Sequence, residues 1–128
     1  MSEKADSQTG GLMSDEEELL KQLYDRFNAR DMENLLAAMD ADVIWANGME
    51  GGYVHGRSEV RDYWTRQWAI INPHVEPIGF AKGPDGEVIV EVHQVVRDHD
   101  GILLADRIVG HVFRIESGSI MRFDIRDA

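Results

Sequence analysis

The chain has 128 residues, with 24 Asp and Glu against 13 Lys and Arg and a formal net charge of −11. That length is one domain with room for a real core, and the charge sets it against nucleic-acid backbones and anionic membrane surfaces, which need clustered bases. The absence of cysteine removes disulfides, thiolate metal sites and thiol nucleophiles together.

Residues 1–13 (MSEKADSQTGGLM) carry too little apolar surface to offset ordering entropy, which predicts a disordered tail. They hold no apolar h-region of a secretory signal, so the expected compartment is the cytoplasm. The domain is expected over 14–128. Ser14-x-x-Glu17 reads as a capping box, and Leu19, Leu20, Leu23, Tyr24 and Phe27 recur at helical spacing, predicting a helix over 15–29. Asp31 opens a second, short helix with Leu35, Leu36 and Met39 turned inward. Asp42–Ala46 is β-branched and aromatic, hence a strand, and Asn47-Gly48 and Gly51-Gly52 make the segment after it a loop. A third helix is predicted from Ser58 to Ile71, stopped by Pro73.

Four strands follow: His74–Lys82, Glu87–Arg97, Ile102–Glu116 and Ser119–Arg126. Turn residues separate them at Gly83–Gly86, Asp98–Gly101 and Ser117-Gly118. Strands then gather beside helices, which defines an α+β class with an antiparallel sheet. A four-residue loop at Asp98–Gly101 pairs Val88 with His111, Val90 with Val109 and Val92 with Arg107. It puts Arg107, Val109, His111 and Phe113 on the inner face, and in the last strand Met121, Phe123 and Ile125 face inward. The outer face mixes Ile89, Ile108 and Val112 with Asp106, Glu91 and His93. That mixture suits a homodimer interface through the outer sheet face.

The segments Tyr24–Asp31, Met39–Trp45, Val54–Trp64 and Gly110–Ile120 resemble nuclear transport factor 2-like (SnoaL-like) proteins, a likeness covering about residues 15–126. The resemblance implies a cone-shaped, strongly bent sheet with three helices, the cystatin-like α+β barrel, around an internal pocket. Homodimers are usual in that superfamily. It includes ketosteroid isomerases, hydrolases and polyketide cyclases, and also binding domains without activity, so the fold does not give function. Anchored on His55-Gly56-Arg57, the isomerase base falls on Asn47, the oxyanion tyrosine near Leu23, and its acidic partner on His111. An amide takes no proton from carbon, so steroid isomerisation does not carry over.

His111 is then the candidate acid–base group, with Arg107 and Asn47 for a developing oxyanion. Phe27, Trp45, Trp64, Val90 and Phe123 are expected to wall the pocket, and Tyr53 with His55 to gate it. Each has a plainer role available: a satisfied core histidine, a rim ion pair with Asp106 or Asp127, a turn asparagine, ordinary core aromatics. The five histidines lack metal-ligand spacing, so no metal and no cofactor is expected. Three functions stay open. The leading one is binding of a small hydrophobic or aromatic molecule. The second is a cofactor-free lyase, isomerase or hydrolase. The third is a dimeric interaction module, which predicts a cavity below the ~300 Å³ typical of ligand pockets.

Overall fold

The computed structural model describes residues 2–127, with side chains described from Asp15 to Asp127. The elements run α1 (Ser2–Asn28), α2 (Met32–Ala37), β1 (Met39–Ala46), β2 (Tyr53–His55), α3 (Gly56–Ile70), β3 (Ile71–Lys82), β4 (Val88–Asp98), β5 (Leu103–Glu116) and β6 (Ser119–Asp127). The predicted α+β class holds: one six-stranded sheet and three helices. The tail expected over 1–13 and the capping Ser14 lie outside the residues whose side chains are described. The helix expected from residue 15 belongs to the longer span of α1.

The strand order is β2-β1-β6-β5-β4-β3. Two features depart from the expected antiparallel sheet. The stretch taken as a loop contains the short strand β2, paired with β1. β1 in turn runs parallel to β6, because the α3–β3–β4–β5 excursion brings the chain back beside its first strand in the same direction.

Asp31 caps α2, its carboxylate accepting from the Asn34 N–H. β3 carries Pro73 and Pro77, which an edge strand tolerates because its outward N–H groups have no ladder partner. At Val75 the Asn28 side chain takes over that edge: its Nδ2 donates to the Val75 carbonyl at 2.8 Å and its Oδ1 accepts from the Val75 N–H at 3.0 Å. The end of α1 is thereby fastened to β3. Arg30 sits just past the helix at φ 60°. Its guanidinium donates to the Phe27 and Pro73 carbonyls and the Asn72 side chain.

The β4–β5 register differs from expectation by two residues. Val88 faces Phe113, Val90 faces His111 and Val92 faces Val109. One residue comes from the hairpin, where Arg97 pairs with Leu103, and one from the shift between Val96 and Arg97. Two single-residue shifts restore parity, so the inner-face assignment survives although every partner changes. β6 shows the opposite case. A shift at Arg114/Ile115 sets Ile115 opposite Ile120, so Ile120 is buried and Met121 only half-buried. Ile125, expected in the core, is 43% exposed. The core lies between the inner sheet face and the helices, built on Leu20, Leu23, Leu35, Val60, Val92 and Ile120.

Candidate ligand pocket

An aromatic cluster occupies the middle of the inner face. Strand periodicity sends Trp45 from β1, Phe113 from β5 and Phe123 from β6 to one side. Trp45 stacks on Phe123 at 4.2 Å between centroids and meets Trp64 of α3 edge-on at 5.2 Å. Phe27 from α1 closes the group against Trp64 at 5.7 Å. A cavity of about 190 Å³ opens among these rings. It is smaller than the ~300–1,000 Å³ of ordinary ligand pockets. It is larger than the ~150 Å³ that holds a benzene in an engineered apolar cavity.

The cavity wall carries a buried polar pair. The Tyr24 hydroxyl hydrogen-bonds His111 Nδ1 at 2.8 Å, and the two rings stack. His111 is also ringed by Phe113 and Phe123. Burial lowers its pKa to about 3 and pushes the Tyr24 phenol well above its usual range. Both groups are therefore neutral at physiological pH. In the tautomer with its proton on Nε2, the imidazole accepts from Tyr24 at Nδ1 and keeps Nε2–H as a donor. A second polar group sits on α3, where the Tyr63 oxygen accepts from the Gly48 N–H and from Gln67 Nε2, each at 3.1 Å. Burial raises the Tyr63 pKa too.

Six of the nine candidate residues line the cavity: Phe27, Trp45, Trp64, Arg107, His111 and Phe123. Asn47, Tyr53 and Val90 do not. The Asn47 side chain is taken up by its own loop: Oδ1 accepts from the N–H groups of Met49 (3.0 Å) and Glu50 (2.8 Å), and Nδ2 donates to Glu50. Tyr53 is 45% exposed, its hydroxyl donating to Asp124 and its ring lying under the Arg122 guanidinium. His55, the expected second gate residue, is exposed and stands at the start of α3, where its side chain makes no capping bond and its backbone N–H donates to Glu59. Val90 is fully buried and pairs with His111 across the ladder. Sequence reasoning missed Tyr24, Tyr63 and Gln67 as polar cavity groups. Tyr24 entered only as part of a helical spacing, since a helix pattern shows which face is buried and not where a hydroxyl ends.

The model of the SnoaL-like domain matches residues 20–123, and the chain belongs to that family. No curated protein matches it. Among solved structures it is similar to a nuclear transport factor 2-like protein of unknown function from Burkholderia pseudomallei. The identity is 26% and the TM-score 0.77, over 89% of this chain and 91% of that one. TerC, co-crystallised with polyporic acid, is 23% identical with a TM-score of 0.75, over 87% and 89% of the two chains. A candidate polyketide cyclase from Xanthomonas campestris is 20% identical with a TM-score of 0.71, over 88% and 89%. These last two likenesses speak for the fold alone. Among the described residues no helix is long and apolar enough to cross a membrane.

Proposed function

We propose that the protein binds a small, mostly apolar molecule of about one aromatic ring in this cavity. The observation that carries the reading is a neutral Tyr24–His111 pair in the wall of an aromatic cavity. A merely structural core has little use for two polar rings there, whereas a ligand carbonyl or hydroxyl meets a ready donor at His111.

The same pair weakens the acid–base reading. An imidazole with a pKa near 3 is a poor base at neutral pH, some four units below the range that suits proton transfer. Among the described residues no Asp or Glu lines the cavity to replace it. His111 serves better as a neutral hydrogen-bonding contact than as a proton carrier. The cavity volume, taken alone, favours the interaction module, and that remains the second reading. The homodimer belongs to both: Ile89, Val95, Ile108 and Val112 form the apolar part of the outer face, with Ile108 42% exposed. A Val112→Asp substitution there should yield monomers in sedimentation.

A thermal-shift screen with single-ring compounds tests the binding reading. A ligand at about 100 times its dissociation constant adds roughly 2.7 kcal/mol, or about 10 °C for a domain of this size. Compounds that shift the melting point should also perturb the Trp45 and Trp64 indole NMR signals. No shift from any compound, with the protein folded, leaves the interaction module.

A further inference from the structure

The charge lining the cavity is opposite in sign to that of the protein. The chain carries 24 acidic side chains and a net charge of −11, yet among the described residues the one formally charged residue lining the cavity is Arg107. β5 sends Arg107 to the same face as Val109 and His111, opposite Gln94 of β4, which also lines the cavity. Arg107 is solvent-exposed while His111 is buried, so the arginine marks the mouth and the imidazole the interior.

The acids closest to Arg107 in the sheet are not engaged with it. Asp106 points to the other face, where it meets His93 Nε2 at 2.7 Å. Asp127 stands opposite Val109 at the end of β6. Among the described residues neither forms an ion pair with Arg107. Arg30 and Arg122 do not line the cavity and have other partners: Arg30 the Phe27 and Pro73 carbonyls and Asn72, Arg122 the Asp124 carboxylate.

We infer that the ligand is a small aromatic carboxylate, its ring within the apolar walls of the cavity and its anionic group at Arg107. This deepens the binding reading above and rests on it. A guanidinium offers a carboxylate two parallel N–H donors, and apolar walls strengthen the pull of a single charge at the mouth. The aromatic walls would by themselves also suit an organic cation. Arg107, and the lack of a lining carboxylate among the described residues, turn the selection the other way.

Titration with benzoate, benzamide and benzylamine at pH 7 and low salt, followed by NMR, reads the charge preference with the ring held constant. Benzoate should bind about fivefold tighter than benzamide, and benzylamine weakest. The Arg107→Gln variant should bring benzoate and benzamide within about twofold of each other, and added salt should erode the preference in the wild type. Equal binding of benzoate and benzamide, or tightest binding of benzylamine, overturns the carboxylate assignment and leaves the binding reading standing. If none of the three binds, both fall.

Discussion

His111 should make the folded state sensitive to mild acid, and the size of the effect follows from its burial. An unfolded histidine titrates near 6.5, whereas His111 in the fold has a pKa of about 3. Between those values the unfolded chain takes up a proton that the folded chain refuses. Stability from this residue is therefore complete above about pH 6.5 and is lost as pH falls toward 3. Going from pH 8 to pH 5 should remove about 2 kcal/mol, or on the order of 1 M in urea midpoint. Replacing the ring by an amide that still accepts from Tyr24, in His111→Gln, should abolish that component. The assay is urea unfolding of both proteins at pH 8, 7, 6 and 5. The four other histidines are common to both and cancel in the difference. If wild type and variant lose the same midpoint on acidification, His111 is not held neutral by burial, and the argument against acid–base chemistry goes with it.

Three further substitutions probe the parts around the cavity. Phe113→Ala, at a side chain 1% exposed, should cost about 3–5 kcal/mol in chemical unfolding, well above any surface change. Tyr24→Phe leaves a buried imidazole nitrogen without its partner and should cost about 1–3 kcal/mol; a cost near zero would mean that water replaces the hydroxyl. Asn47→Ala removes three loop hydrogen bonds and should speed hydrogen exchange at the Met49 and Glu50 amides, while ligand-induced shifts at Trp64 persist.

What could be read from the sequence was whatever depends on parity and local chemistry. The alternation in β4 and β5 fixed which side chains share the cavity face, and it tolerated a register wrong by two. It did not tolerate the single-residue shift at Arg114/Ile115, which brought Ile120 into the core and left Met121 half out. Bulges of that kind arise from tertiary fit and leave no mark in hydropathy. Asp31 was legible as the opening of α2 because its carboxylate acts within three residues. The Tyr24–His111 contact spans 87 positions, and no local pattern can announce it. Asn47 shows the converse: of the two roles open to it, ligand contact and turn asparagine, the loop hydrogen bonds to Met49 and Glu50 are local ones that the sequence can announce.

The parallel pairing of β1 with β6 also bears on how the protein is made. Trp45 stacks on Phe123, and β1 reaches its place between β2 and β6 only once the last strand exists. At the usual 5–20 residues per second, a ribosome spends roughly 4–16 s between completing β1 and completing β6. Throughout that interval β1 and its tryptophan lack one of their two neighbours. The nascent chain is therefore exposed to misassociation for seconds, and helpers that shield apolar segments during synthesis should matter more for its yield than its modest size suggests.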